Sequence, residues 1–272
     1  MRGSLDTVNH SLHGIAALQN NIYALSQSPN SILVFDDKSP FALTRSIGLG
    51  DLREPCDMAG CQVAHCLYVA DAVRNSVWKV STGEDHDVSC WLEEEKYVST
   101  LSVSSLGEVA VLRKGQKCTL SIYSEDATLI HYVLLVGELS NALHAVQKSN
   151  GNFVVAFGAG LQFGICEITK IGTVVHRFNV KDEALQVKYP CHLARGLGDQ
   201  ILVADFYNNR VVLLDSELKI CVEILSKGHN ELSFPWRLCY GESCQQLVVV
   251  HGGKKAAYGR AKIVVCGLGS LA

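Results

Sequence analysis

Short apolar runs alternate with turn chemistry along almost the whole chain. Ile201-Leu202-Val203-Ala204 and Val211-Val212-Leu213-Leu214 are apolar throughout, with Gly198-Asp199 before the first run and Asn208-Asn209-Arg210 between the two. A half-exposed strand alternates apolar and polar positions, whereas a short unbroken apolar run bounded by turn residues reads as a strand buried on both faces. Pro190 to Asp215 is therefore predicted to fold as strand, turn, strand, turn, strand.

That unit recurs. Glu54 to Ser81 repeats its order of elements: Asp71 and Asn75 match Asp205 and Asn209, and Cys56 matches Cys191. Fixing the frame on the residue that begins each first strand adds four weaker copies. Gly14, Asp57, Thr100, His144, His192 and Arg237 are then equivalent, at steps of 43, 43, 44, 48 and 45 residues. A period in the forties with three or four short strands per unit is a propeller blade. The expected fold class is all-β, a six-bladed β-propeller forming one domain over residues 1–272. About half of the residues should be strand and essentially none helix. The last unit lacks a convincing fourth strand, while Arg2 to Val8 precedes the first unit without a partner. This N-terminal piece is expected to complete the last blade, which closes the ring and removes its open edge.

Composition narrows the picture. With 48% hydrophobic and 19% charged residues the protein is globular. Its longest apolar run, near Tyr132 to Val136, is far short of the roughly 20 residues that span a bilayer. A soluble, cytoplasmic, monomeric protein that does not engage membranes is expected. The formal charge of −3 gives no global attraction to nucleic acid, so such binding requires a local patch. Eleven cysteines occur without a C-x-x-C pair, which points to reduced core thiols and not to a zinc site. Cys61 with Cys66 and Cys239 with Cys244 flank tight hairpin connections, the two places where a disulfide fits an oxidising compartment.

LYVADAVRNSVWKV and ILVADFYNNRVVLLD resemble NHL repeats, the six-bladed propeller units at the C-terminus of tripartite-motif ubiquitin ligases. The resemblance is specific for these two blades and positional in others. Ligase activity is not implied, since no RING, B-box or coiled-coil pattern accompanies the repeats.

In a propeller the first strand of each blade lines the central channel, so chemistry is sought where first strands begin. His144 and His192, in adjacent blades, are expected to converge there with Asp57 and Arg237, a combination suited to proton transfer beside a fixed cation. These four are the candidate catalytic residues of a small-molecule lyase or hydrolase at the channel mouth. The lyase half of the peptide-amidating enzyme, similar in fold, holds zinc with histidines from alternate blades, and the calcium-dependent lactonases need an acid where Gly14 stands; both patterns fail here. No cofactor is expected, and a metal at the mouth lacks a complete ligand set. The favoured expectation is a binding module for a protein segment or single-stranded RNA. Arg113, Lys114 and Arg210 supply cations on the same rim, Phe206, Tyr207 and Trp236 supply stacking surfaces, and His251 ends a second strand there. Lys254, Lys255 and Arg260 extend the basic set. Acidic inter-blade loops at Glu54, Glu93, Glu94, Glu95, Glu138, Asp182 and Glu183 interrupt it.

Overall fold

Asn75 and Asn209, the matched asparagines of the two clearest units, both adopt left-handed backbone, with φ of 53° and 54°. Asparagine tolerates that conformation better than most residues. The matched aspartates hold the same turns. Asp71 accepts the N–H groups of Arg53, Glu54, Val73 and Arg74, and Asp205 accepts that of Lys188. Gly107, in the predicted turn of the third unit, has φ of 83°.

These turns organise 24 strands in a computed structural model that describes residues 2–6, 11–38, 40–93, 96–160, 162–178, 185–230, 232–252 and 261–268. The first strand is β1 (Arg2–Asp6). Blade one is β2–β5 (Leu12–Leu18, Asn21–Gln27, Asn30–Asp36, Leu43–Gly48) and blade two β6–β9 (Pro55–Cys61, Cys66–Asp71, Ser76–Ser81, Val88–Glu93). Blade three is β10–β13 (Val98–Val103, Val109–Arg113, Cys118–Tyr123, Leu129–Leu135) and blade four β14–β17 (Ala142–Gln147, Phe153–Ala159, Gln162–Ile168, Val174–Arg177). Blade five is β18–β21 (Pro190–Arg195, Ile201–Asp205, Arg210–Leu214, Cys221–Ser226). Blade six joins β22–β24 (Arg237–Gly241, Gln246–Gly252, Ala261–Gly267) to β1. Among the described residues, helix is confined to the four residues Lys227–Asn230 and short 3₁₀ turns.

Six apolar clusters lie one to each pair of successive blades, including the pair formed by blades six and one. Second strands are buried on both faces, as their unbroken apolar runs require: every residue of β7, β11 and β19 is buried. Trp91 packs between Tyr68 and Tyr123, joining blades two and three. All eleven cysteines are free thiols, although Cys61 and Cys66 stand directly opposite each other in their ladder.

The ring closes as the unpaired N-terminal segment requires. β1 runs antiparallel to β24, from Arg2 opposite Cys266 to Asp6 opposite Lys262, so the first strand in sequence is the outer strand of the last blade. Residues 7 and 8 lie outside the described set, as do Lys254, Lys255, Arg260, Glu94, Glu95, Asp182 and Glu183. Removing residues 1–8 is expected to lower stability by roughly 2–3 kcal/mol, at about 0.5–1.5 kcal/mol for each ladder hydrogen bond lost. Urea unfolding of the truncated protein measures this, and an unchanged midpoint would show that β1 does not fasten the ring.

Candidate functional site

Five of the inner strands carry the same irregularity. In β2, β6, β10, β14 and β18 the ladder skips one residue, at His13, Cys56, Ser99, Leu143 and Cys191, immediately before the ring position. A β-bulge of this kind bends the strand and re-aims side chains. The skipped residues thereby line the channel's upper end together with Thr100 and Arg237. Gly14 occupies its ring position because space allows nothing larger: a Cβ there would lie 2.8 Å from the Met58 nitrogen and Cβ.

The anticipated convergence occurs, but below the rim. Asp57, His144 and His192 are buried, at 0%, 1% and 6% exposure. Asp57 Oδ1 lies 3.1 Å from Arg237 Nε and 3.7 Å from His192 Nε2, while Oδ2 accepts the Leu101 N–H at 3.0 Å and stands 3.9 Å from His144 Nε2. The imidazoles are stacked, with ring centroids 3.9 Å apart. The Arg237 guanidinium donates to the carbonyls of His13, Trp236 and Cys56, which ties blade six to blades one and two. Thr100, the remaining ring residue, directs its hydroxyl to the Leu143 carbonyl at 3.4 Å.

Charge within the cluster is settled internally. Burial acts to raise the Asp57 carboxyl, but Arg237 and the imidazoles more than offset it and hold it below the usual carboxylate range. Burial pushes His144 well below its ordinary value, and His192 beside it adds to that. His192 is also lowered by burial, against the opposing pull of Asp57. The three side chains are the one group of potential metal ligands among the described residues, with donor atoms within 4.8 Å of one another. They fit a cation poorly. Their single carboxylate already neutralises a guanidinium, and the Leu193 N–H, 3.4 Å from His144 Nδ1, favours the tautomer that puts a proton on Nε2.

This cluster divides the channel. Above it, Arg237 lines a mouth cavity of about 400 Å³ together with the bulge residues, Lys114, Tyr97, Tyr189, Phe206 and Trp236. Below it, His144 and His192 line a second cavity of about 220 Å³ on the opposite side. The histidines are thus reached from below and not from the mouth. Cys56 and Cys191, which line the mouth, have thiols pushed up to about 12 by burial, which keeps them protonated and unsuited to nucleophilic work.

The residues anticipated for a nucleic-acid surface are dispersed. Arg113 is buried, bonded to the Tyr123 hydroxyl and positioned over its ring. Arg210 is buried too, paired with Asp205 at 2.8 Å and bonded to the Gln186 carbonyl at 3.0 Å. Burial of both guanidinium groups corrects the expectation of surface cations, and the reason is local: each has a partner within its own blade or the adjoining loop. His251 is buried, with its Nδ1 accepting the Ser233 N–H. Trp236 donates its indole N–H to the Leu12 carbonyl at 2.8 Å. Tyr207, 51% exposed, does stand on the surface, in a series of ring contacts with Tyr189, Phe206 and Phe234. Lys114 also remains at the mouth. The bulge ring, Tyr97 and Tyr189 were not anticipated from the sequence; the legible signal was their position directly before a ring residue or on the connection leading into an inner strand.

The protein is a six-bladed β-propeller. No family model matches it, and no curated protein does. Solved structures similar in fold include virginiamycin B lyase from Staphylococcus aureus, at TM-score 0.65 and 9% identity over 98% of this chain and 99% of that one. The PQQ-bound aldose sugar dehydrogenase from Streptomyces coelicolor matches at TM-score 0.64 and 11% identity, covering 98% of this chain and 99% of that one. A component of the nidogen/laminin complex matches at TM-score 0.67 and 10% identity, covering 85% of this chain and 84% of that one. These likenesses extend to the fold. Among the described residues no helix is long and apolar enough to cross a membrane.

Proposed function

We propose that this propeller is a binding module, NHL-like in its repeats, which takes a protein segment across its upper rim and anchors one side chain in the mouth cavity. The observation that carries this reading is the cavity's aromatic border: Tyr97, Tyr189, Phe206 and Trp236 line it, and exposed Tyr207 extends it outward. Aromatic side chains beside a concave pocket are what binding hot spots are made of. One propeller of similar fold was solved in a protein–protein complex, that of nidogen and laminin, while others are enzymes, so fold alone does not choose.

Single-stranded RNA is the weaker partner. A phosphate track needs several free cations along it, and Arg113 and Arg210 are committed inside the blades. A lyase or hydrolase working from the mouth is weaker still, because Arg237 and Asp57 separate the two histidines from it.

Selection of a random peptide library on the purified protein tests the reading. Enriched peptides should bind one surface competitively, and Tyr207→Ser should weaken them by roughly tenfold without altering the melting temperature, as expected for truncation of an exposed aromatic anchor. Failure to enrich any peptide, with retention of a randomised RNA pool at low salt, would transfer the rim to nucleic acid.

A further inference from the structure

We infer that the mouth cavity selects a segment bearing an anionic oxygen group, carboxylate or phosphate, and that Lys114 is the residue that reads it. This rests on the binding reading above and adds the chemistry of the anchor. Lys114 follows β11, and its N–H bonds to the Tyr97 carbonyl at 3.0 Å. The same bond in blade five, from the Phe206 N–H to the Tyr189 carbonyl, fixes Phe206, so equivalent positions deliver a cation and an aromatic ring to one cavity. In the other blades that position holds Gln27, Ala72, Gly158 and Gly252, none of them charged.

Two cations line the cavity, and they differ in what they already hold. Arg237 has Asp57 at 3.1 Å and gives its N–H groups to three carbonyls. Lys114 is half-buried and has no side-chain hydrogen bond or ion pair among the described residues. Among the described residues no carboxylate lines the cavity. The mouth therefore has one charge in excess, partly withdrawn from water, and an ammonium in that position gains from an anion more than a fully solvated one does. Burial lowers the Lys114 pKa, with Arg237 among the further contributors; an anion in the cavity opposes both effects. Ser99 on the same wall adds a hydroxyl suited to one of the remaining oxygen lone pairs. A nucleic-acid strand would need such a cation at every phosphate, and the mouth supplies one, whereas a single acidic side group, the terminal carboxylate of a peptide or a phosphorylated residue needs no more.

The test runs the library selection on the wild type and on Lys114→Met, then resynthesises one wild-type binder in four forms. These carry at the anchor Glu, Gln or phosphoserine, or a free C-terminal carboxylate with the internal acid removed. The expected result is at least a tenfold loss from Glu to Gln in the wild type and no difference between the two in Lys114→Met, with Lys114→Arg keeping the preference. The tightest of the four forms identifies the source of the anion. Lys114→Met should melt at or above the wild-type temperature, which separates loss of recognition from loss of folding. Peptides that bind with equal affinity through Gln overturn the inference while leaving the binding module standing. If no peptide is enriched, titration with inorganic phosphate and with N-acetylglutamate, followed by the fluorescence of Trp236 in the same cavity, decides the inference separately. A change present in the wild type and absent in Lys114→Met supports it, and identical traces overturn it.

Discussion

Lowering the pH from 7 to 5 is expected to remove several kcal/mol of the stability of this propeller, roughly 2 kcal/mol for each histidine that stays neutral in the fold. His144, His192 and His251 are buried, at 1%, 6% and 3% exposure, and all three are shifted towards the neutral form. Burial lowers each of them; Lys262 adds to the effect at His251, which falls to about 4. An unfolded histidine takes up a proton below about 6.5 while the folded one does not, so stability is complete above that value and declines as pH falls towards the folded pKa. Each such group contributes a slope of up to about 1.4 kcal/mol per pH unit for as long as it remains neutral in the fold. A domain with roughly 5–15 kcal/mol in hand cannot sustain that for long. For His251 the window closes near pH 4. Asp57, whose carboxyl is held low, acts in the same direction but later, because its contribution is present above about 3.9 and is lost only below it. Urea midpoints at pH 7, 6 and 5 measure the slope, and His251→Phe should reduce it. A flat profile across this range would mean that the histidines are solvated and protonated in the fold.

The parts of this structure that were legible in the sequence are those in which one residue solves one local problem. Asp71 and Asp205 recur because a turn has several N–H groups to satisfy, and Asn75 and Asn209 because their own position in that turn is left-handed. The convergence of Asp57, His144, His192 and Arg237 followed from equivalence alone, since equivalent positions on inner strands face one axis. What escaped was the effect of the bulge. Strict alternation assigns one of two neighbours to the channel, whereas a skipped residue brings in both, as with Ser99 and Thr100. Depth is not legible either: a mixed set of charges at the channel mouth suggests a solvated site, yet Arg237 and Asp57 neutralise each other and permit burial. Arg113 and Arg210 failed for a related reason. Their charge suggests surface, but Asp205 lies directly opposite Arg210 in its ladder, and Tyr123, opposite Val109 on the strand next to β11, bonds Arg113. Arg210 with Asp205, five residues apart, was the one such pair open to inspection.

Asp57→Ala is expected to cost about 3–5 kcal/mol, the range for breaking a buried ion pair by removing one partner. The change leaves the Arg237 guanidinium without an anion, deprives the Leu101 N–H of its acceptor, and opens a void against two imidazoles. Asp57→Asn separates these contributions. It keeps the volume and an acceptor for Leu101 while removing the charge, so it should cost clearly less than Ala if the hydrogen bond matters and nearly as much if the ion pair dominates. Combining Asp57→Ala with Arg237→Met should cost less than the sum of the two single changes, by roughly 1–3 kcal/mol, since the second change removes the uncompensated cation left by the first. Chemical unfolding of the four proteins gives the cycle. The outcome also bears on function, because residues held for chemistry are commonly dispensable to the fold, and Asp57 is expected to be the reverse: a tie among blades two, three and six at the point where the channel is divided. A loss below about 1 kcal/mol for Asp57→Ala, with the fold intact, would return the cluster to candidacy as a reactive site approached from the lower cavity.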